Sequence, residues 1–280
     1  MSHNITLNNG ISMPMLGLGT YQMRGSEAYQ PTITALKLGY RSIDTASIYR
    51  NEEEVGRAIR DSGVPRLYPH TTSYIFSFSF TVTHLDLYLI HWPGVSGMLK
   101  ESPEQVEIRT QSWLALEKLY KEGIPSSSSS RVTSAGRCRS IGVSNFGVEH
   151  LKALIADPRT SVVPAVNQVE LHPLLTQEEL RSYSREVGIV TEAYASLVRG
   201  EVWDNSIIKE ISSSTGKTSA QVLLRWAVQR GLVVIPKSST EERIRENGDI
   251  FDFELKEEEM NQLDSLNKDY HCCWDPTGVP

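Results

Sequence analysis

Asp44 and Tyr49 are the first residues in this chain whose types and spacing suggest chemistry. Both lie in the segment GYRSIDTASIYRNEEEVG, where Asp44 ends a short apolar strand pattern and Tyr49 follows five residues later. A carboxylate beside a phenol can take part in proton transfer. Asn51 and the three glutamates after it predict the capped start of a helix. The pair therefore lies in a connection between a strand and a helix.

His91 is a third candidate for the same site. It ends the strand pattern LDLYLIH and is followed by Trp92 and a proline. A single histidine in an apolar strand is more often a hydrogen-bonded core residue than a reactive one. In a parallel barrel, however, active sites lie at the carboxyl ends of the strands. With Asp44 and Tyr49 expected at the same rim, we interpret His91 as part of a reactive site.

Later strand patterns also end in polar residues. Ser144 and Asn145 end the pattern in RSIGVSNF, Gln168 lies in AVNQVELHP, and Tyr194 lies in TEAYASL. The polar groups suit the carboxamide of a nicotinamide ring, and the aromatic face of Tyr194 can stack against that ring. Each residue alone would also fit a helix cap. The prediction of a nicotinamide site therefore depends on their combination.

The segment VIPKSSTEERIREN predicts a site for an anion. Lys237 and Ser238 leave a strand pattern, Arg243 lies in the first turns of the next helix, and Glu246 and Asn247 follow. Cationic side chains near a helix N-terminus bind phosphate, and a guanidinium can also stack on adenine. The alternative is a solvated, charged helix. No GxGxxG motif follows a strand pattern, which disfavours a Rossmann dinucleotide site.

The segments that must position these residues alternate between strand and helix patterns, which predicts an α/β fold with a parallel sheet. An Asn-Gly turn predicts a hairpin before them. The 280 residues would fit two average domains or one (β/α)8 barrel. The predicted strands are Met15–Thr20, Ser42–Thr45, Leu85–His91, Ser140–Ser144, Ala165–Glu170, Val190–Ala195 and Leu232–Pro236. The predicted helices are Glu27–Leu38, Glu52–Ser62, Gln105–Glu122, Val148–Ala156, Gln177–Val187, Ser219–Arg230 and Glu241–Ile250.

Two stretches depart from this alternation. Residues 64–84 read VPRLYPHTTSYIFSFSFTVTH, a period-two strand pattern without a helix, where a third strand and a third helix are due. Residues 124–138 read IPSSSSSRVTSAGRC, a serine-rich insertion typical of a flexible surface loop. A retained intron or an error in the gene model would explain both stretches. We therefore expect an aberrant third βα unit.

Composition limits the class of protein. The net charge of −6 disfavours a nucleic-acid partner, because phosphate binding needs a basic surface. No run reaches the ~18 apolar residues of a membrane span, and no signal peptide precedes the first strand pattern. Three cysteines, Cys138, Cys272 and Cys273, fit neither a disulfide framework nor a metal-binding spacing. We expect free thiols in the cytoplasm.

Outside the two unusual stretches, these motifs resemble the aldo-keto reductase family over nearly the whole chain. The resemblance implies a single (β/α)8 TIM-type barrel domain over residues 1–280, with the hairpin closing its bottom, that transfers a hydride from NADPH to a small aldehyde or ketone. Tyr49 would donate the proton, His91 would orient the carbonyl group, and Asp44 would belong to the charge network under Tyr49. Tyr21 and Trp92 would line the substrate pocket, no metal would be needed, and the protein would be a monomer. The implied cofactor-binding residues are Thr20, Asp44, Ser144, Asn145, Gln168, Tyr194, Lys237, Ser238, Arg243, Glu246 and Asn247.

One departure from the family pattern concerns the rate of catalysis. The family has a lysine at the end of the third strand, which pairs with the aspartate and lowers the pKa of the tyrosine. This chain has no lysine between Lys37 and Lys100, and an unassisted tyrosine has a pKa of about 10. We expect impaired catalysis, a strand or poor packing over residues 73–83, no regular third helix and a gap in the barrel. The alternative is a catalytically impaired NADP(H)-binding protein, or an unstable splice or gene-model variant.

Overall fold

Eight parallel strands form a continuous sheet in the computed structural model, which describes residues 3–65, 70–73, 85–123 and 138–280. A two-stranded antiparallel hairpin, β1 and β2, precedes them. The strands are β1 Asn4–Thr6, β2 Ser12–Pro14, β3 Leu18–Gly19, β4 Ser42–Thr45, β5 His70–Ser73, β6 Leu87–Ile90, β7 Ile141–Ser144, β8 Val166–Glu170, β9 Val190–Tyr194 and β10 Val233–Val234. The helices are α1 Tyr29–Lys37, α2 Glu52–Asp61, α3 Glu104–Gly123, α4 Val148–Ala156, α5 Glu178–Glu186, α6 Ser206–Thr215, α7 Ser219–Gln229, α8 Glu241–Gly248 and α9 Glu257–Asp264.

The sheet closes between its first and last strands. Leu16 bridges Val234 and Gly19 bridges Lys237, both in the parallel sense. The Gly17 amide donates to the Val234 carbonyl at 2.8 Å, and the Val234 amide donates to the carbonyl of Met15 at 2.9 Å. Since every neighbouring pair from β3 to β10 is also parallel, the strands form a closed, eight-stranded parallel barrel in an α/β fold.

The third barrel strand differs from its prediction. Strand β5 is His70–Ser73, and it pairs with β4 on one side and with β6 on the other. The predicted gap in the barrel between β4 and the strand near Leu85 is therefore wrong. The strand pattern over residues 73–83 overlaps β5 only at Ser73, because the barrel register is set by residues before the aromatic run. The predictions for residues 74–84 and for the serine-rich residues 124–137 lie outside the described residues.

The other strands and helices agree with the sequence patterns to within a few residues. Each predicted strand contains an observed strand, and helices Glu52–Asp61 and Val148–Ala156 begin where their patterns begin. Helices α6 and α9 were not predicted. Helix α6 has a serine-rich second half that lowers its helix propensity, and it is fixed locally by the Asn205 cap and by Gly216 in the left-handed conformation.

The hairpin covers one end of the barrel interior. Leu7 and Met13 are 2% and 0% exposed and pack with Leu87, Val166 and Val233 from three barrel strands. This apolar cluster fills the barrel interior around the amino-terminal parts of the strands. The polar side chains of the interior therefore lie toward the carboxyl ends. Among the described residues, no helix is long and apolar enough to cross a membrane.

Candidate active site

Asp44 lies at the carboxyl end of β4, inside the barrel rim. Its side chain is almost fully buried, and its backbone is in register with Gly19 of β3. The Thr20 hydroxyl donates to the Asp44 carbonyl at 2.9 Å, and the Thr20 amide donates to the same oxygen at 3.1 Å. Thr20 is itself fully buried, so its observed role is to tie β3 to β4 beside the carboxylate.

Tyr49 reaches the same rim from a short 3-10 turn, Ser47–Tyr49, between β4 and α2. Its ring makes edge contacts with Tyr21 at a centroid distance of 5.3 Å and with His91 at 6.3 Å. Arg50 follows in the left-handed conformation, with φ of 55°, and turns the chain into α2. The turn therefore brings the phenol and the imidazole to the same part of the rim.

Asn51 has a different role from the predicted helix cap. Its side chain makes no capping hydrogen bond. Instead, the Asn51 amide group donates to the carbonyls of Thr20 and Met23 at 3.2 and 2.7 Å, and its oxygen accepts from the Thr45 hydroxyl at 2.6 Å. Asn51 thus fixes the loop after β3 against the end of β4, because tertiary partners compete with the local cap.

Burial sets the protonation states of the two central side chains. It raises the pKa of Tyr49, and the nearby Asp44, Tyr21 and Cys273 raise it further. Within the described residues, each group that shifts the Tyr49 pKa shifts it upward. Burial lowers the pKa of His91 to about 4. At neutral pH the site therefore presents a protonated phenol beside a neutral imidazole.

An amide side chain connects His91 to the next strands. The Asn145 amide group donates to the His91 carbonyl at 2.9 Å, and the Asn145 oxygen accepts from the Tyr194 hydroxyl at 2.8 Å. Asn145 is in the left-handed conformation, with φ of 64°, which asparagine tolerates better than most residues. The predicted residues on β7 and β9 are therefore joined at the rim.

Gln168 joins two carboxylates inside the barrel. Its side-chain amide nitrogen donates to Asp44 at 3.1 Å and to Glu192 at 2.8 Å, while its backbone carbonyl accepts from the Ser144 hydroxyl at 2.7 Å. Sequence reasoning missed Glu192, although a glutamate inside the buried strand VTEAY was the signal. Burial raises the pKa of Glu192 to about 7. Asp44, Ser144 and Gln168 therefore form one hydrogen-bonded network.

The predicted anion site follows β10. Lys237 lies beside Gly19, which is also in register with Asp44, so the segment borders the rim. Ser238 is buried, whereas Lys237 and Arg243 are exposed at the start of α8. In the described part of the chain, neither cation has a carboxylate within 4.0 Å. Two free cations near a helix N-terminus fit a phosphate group.

Glu246 and Asn247 are placed further along the same helix. Glu246 accepts a hydrogen bond from the Thr218 hydroxyl at 2.6 Å, and its backbone carbonyl accepts from the Gln221 amide group at 3.2 Å. Asn247 is 4% exposed. These contacts hold α8 against α7, so at least Glu246 has a structural role in addition to the predicted one.

An aromatic wall lies beside Tyr49. Tyr21 is 47% exposed, and Trp92 contacts both the His91 ring at 6.3 Å and the Trp274 ring at 4.5 Å. Trp274 comes from the C-terminal segment and was missed, because nothing local to its sequence indicates proximity to Trp92. The three exposed or half-buried rings can contact a small organic molecule above the phenol.

The polar and charged groups at the rim and in the segment after β10 suit a nicotinamide adenine dinucleotide phosphate. Amide, hydroxyl and aromatic groups gather at the rim between β7 and β9, and cationic groups without an acidic partner in the described ranges follow β10. A cofactor with a polar amide at one end and phosphates at the other would match this distribution of charge.

Comparisons with known proteins agree with this arrangement. Residues 15–68 and 79–268 match the model of the Aldo/keto reductase family. A protein named glyoxal reductase from Bacillus subtilis is 44% identical over 286 residues, covering 96% of this chain and 94% of the relative. The crystal structure of an aldo/keto reductase from Brucella melitensis has a TM-score of 0.83 and 36% identity, covering 95% and 100% of the two chains. The crystal structure of a mutant of Gox0644 in complex with NADPH has a TM-score of 0.83 and 34% identity, covering 99% and 98%.

Proposed function

Since the chain belongs to the aldo/keto reductase family, we propose that it reduces small aldehydes or ketones to alcohols with NADPH. The observation that carries the proposal is the convergence of Tyr49, His91 and Asp44 at the carboxyl ends of the barrel strands. The relative named glyoxal reductase supports a small carbonyl compound as the substrate.

Each side chain at the rim has its own role in such a reduction. NADPH, when bound, supplies the hydride. Tyr49 holds the proton that the carbonyl oxygen must receive, because its phenol is protonated at neutral pH. His91 is a neutral imidazole that can donate a hydrogen bond to the same oxygen. The aromatic residues Tyr21 and Trp92 exclude water and place the substrate.

The cofactor is NADPH, as in the related complex with 34% identity. In our proposal Ser144, Asn145 and Gln168 hold the carboxamide and Tyr194 stacks on the ring. A second group binds the adenosine end: Lys237, Ser238 and Arg243 hold the 2′-phosphate, and Glu246 and Asn247 hold the adenine. Thr20 and Asp44 contact the nicotinamide end of the cofactor at the rim. The two exposed cations after β10, which have no carboxylate within 4.0 Å among the described residues, support the phosphate assignment.

We further propose that proton transfer from Tyr49 is slow in this chain. The third barrel strand, His70–Ser73, contains no lysine, and the chain has none between Lys37 and Lys100. The family model leaves out residues 69–78, which include this strand. Within the described residues, the neighbours of Tyr49 only raise its pKa. A phenol held so firmly in its protonated form is a weaker acid than general acid catalysis requires.

The test is the steady-state rate of NADPH oxidation from pH 6 to 9, for the wild type and Tyr49→Phe. A well-tuned general acid contributes about 10²–10⁴-fold. We expect a slow wild type, preferring activated carbonyls such as quinones or nitrobenzaldehydes, and less than about a tenfold loss in Tyr49→Phe. A fast wild-type rate near neutrality that collapses in Tyr49→Phe would contradict the proposed impairment and would leave the reductase function in place.

A gain of activity tests the cause of the slow step. Ser73 is the last residue of β5 and pairs with Thr45 of β4, so Ser73→Lys puts a lysine at the end of the third barrel strand. We expect at least a tenfold faster rate in Ser73→Lys, and loss of that gain when Tyr49→Phe is added. Ser73→Met is the control, since methionine has a similar length without the charge. Equal rates for the two variants would show that the missing lysine is not the cause.

The remaining properties follow from the same proposal. We infer one barrel domain over residues 1–280, a monomer in the cytoplasm, and no nucleic-acid or membrane partner. The net charge of −6 and the three free cysteines support this inference. Gel filtration of the purified protein at micromolar concentration would test the oligomeric state.

A further inference from the structure

Three potential metal ligands meet where the C-terminal segment crosses the end of β8. They are the Glu170 carboxylate, the His172 imidazole and the Cys272 thiol, and their ligand atoms all lie within 4.8 Å of one another. Glu170 and His172 are 2% and 0% exposed. We propose that these three side chains form a binding site for a zinc-type divalent cation, a property separate from the proposed reductase function.

The distances match the spacing that zinc requires. In a tetrahedral site with Zn–S of about 2.3 Å and Zn–N or Zn–O of about 2.0–2.2 Å, neighbouring ligand atoms lie roughly 3.3–3.6 Å apart. The Cys272 Sγ atom lies 3.8 Å from His172 Nε2, which in turn lies 3.0 Å from the Glu170 carboxylate. Shifts of a few tenths of an ångström would bring these two distances to the tetrahedral spacing, and the third pair, Glu170 and Cys272, lies within 4.8 Å.

The chemistry of the ligands selects the metal class. A thiolate with an imidazole favours zinc and its neighbours over calcium or magnesium, which prefer oxygen ligands. Binding replaces the hydrogen of the Cys272 thiol by the metal and releases one proton. Three protein ligands leave a fourth tetrahedral position for water or for the Cys273 thiol, whose sulfur lies 4.0 Å from that of Cys272.

Backbone and neighbouring groups already orient the ligands. The Glu170 carboxylate accepts from the backbone amides of Cys272 at 2.7 Å and Cys273 at 3.2 Å, and the His271 ring lies 3.2 Å from its second oxygen. Such outer contacts are typical of protein metal sites. The site would therefore fasten the C-terminal segment, which also carries Trp274, to the barrel rim.

Cysteine spacing alone could not reveal this site. Cys272 lies 100 residues after His172, and the sequence spacing of the three cysteines predicted no metal. The barrel brings the two segments together because β8 ends beneath the C-terminal segment. The spacing of the cysteines along the chain gave no sign of a metal, because the proposed site combines residues that are distant in the sequence.

The test uses cobalt(II) as a probe, because tetrahedral cobalt with a thiolate ligand absorbs visible light and has a sulfur-to-metal charge-transfer band. The full chain is treated with a chelator, reduced, and titrated with cobalt(II). We expect saturation at one equivalent, displacement of the spectrum by zinc(II), and the same spectrum in the control Cys138→Ser. In Cys272→Ser we expect the charge-transfer band to fall to half or less, since only Cys273 could still supply a thiolate, and binding to be at least tenfold weaker.

Two results of the cobalt titration would overturn the proposal. One is the absence of a charge-transfer band in the wild type, and the other is an unchanged band in Cys272→Ser. Thiol alkylation of the wild type gives an independent measurement that needs no variant. Zinc(II) should slow alkylation of Cys272 at least tenfold and leave Cys138 unchanged, so equal rates with and without zinc(II) would also contradict the site. None of these readouts uses NADPH, so they stand apart from the test of reductase activity.

Discussion

At the residue scale, one amide group links the acidic residues inside the barrel. Gln168 donates to both Asp44 and Glu192, whose carboxylates would otherwise face each other in a buried environment. Burial raises the pKa of Glu192 to about 7, which reduces the repulsion between the two groups near neutral pH. The orientation of Asp44 under Tyr49 therefore depends on a neighbour from β8.

The buried imidazole at the rim predicts a pH dependence of stability. Burial lowers the pKa of His91 to about 4, against about 6.5 in the unfolded chain. As the pH falls from 6.5 to 4, the unfolded chain gains a proton that the native imidazole does not, so stability is lost across this range. Between pH 7 and pH 5, we expect the loss from His91 to be about 2 kcal/mol in the free energy of unfolding.

Urea unfolding at pH 7 and pH 5, for the wild type and His91→Asn, would measure this contribution. All other titrating groups are shared by the two proteins, so the difference between their pH dependences isolates His91. An equal loss of stability in both proteins would show that the imidazole is not kept neutral by burial.

At the element scale, strands β7 and β8 approach closely at Gly142. A Cβ atom at this position would lie 2.5 Å from the Val166 carbonyl oxygen and 2.7 Å from a methyl group of Leu89. The neighbouring atoms belong to the backbone of β8 and to a fully buried side chain of β6. Glycine is therefore required for the spacing that places Ser144 and Gln168 at the rim.

We expect Gly142→Ala to destabilise the barrel. Overpacking of this kind costs about 1–3 kcal/mol, which corresponds to a fall in Tm of about 2–5 °C for a chain of this size. Differential scanning fluorimetry would measure it. The control is Gly147→Ala, because an added Cβ there has its nearest neighbour, His150 Nδ1, at 3.7 Å. Equal Tm values for the two variants would contradict the close approach.

At the scale of the whole molecule, the closed barrel joins the two ends of the proposed cofactor site. Gly19 is in register with Asp44 on one side and bridges Lys237 on the other. The rim and the phosphate-binding segment are therefore parts of one folded unit. A ligand that contacts both ends stabilises the complete barrel against unfolding.

Thermal unfolding with cofactor tests this linkage without relying on turnover. At about 100 times its Kd, NADPH should add about 2.7 kcal/mol to the unfolding free energy, or roughly 5 °C in Tm. Arg243→Ala should weaken NADPH about ten- to a hundred-fold and NADH little, since one charge-assisted contact is lost. Arg245→Ala is the control, because Arg245 is already paired with Glu241 at 2.9 Å. Equal losses for both cofactors in Arg243→Ala would place the phosphate elsewhere.

The sequence by itself determined the α/β alternation and the residues at most strand ends. Buried parallel strands are short apolar runs, and a polar residue that ends such a run can lie only at the rim. For this reason Asp44 and Asn145 could be placed at the rim from the sequence. Tyr49 was identifiable as well, because the turn that carries it follows β4 directly.

Only the tertiary structure decided the third strand, the partners of Asn51 and Gln168, and the cluster of Glu170, His172 and Cys272. The sequence pattern drew attention to residues 73–83, whereas pairing with both neighbouring strands identified a strand at His70–Ser73. Hydrogen bonds and metal sites depend on distances between atoms. The closed barrel brings together residues that are 100 or more positions apart in the sequence. Local sequence patterns carry no information about such distances.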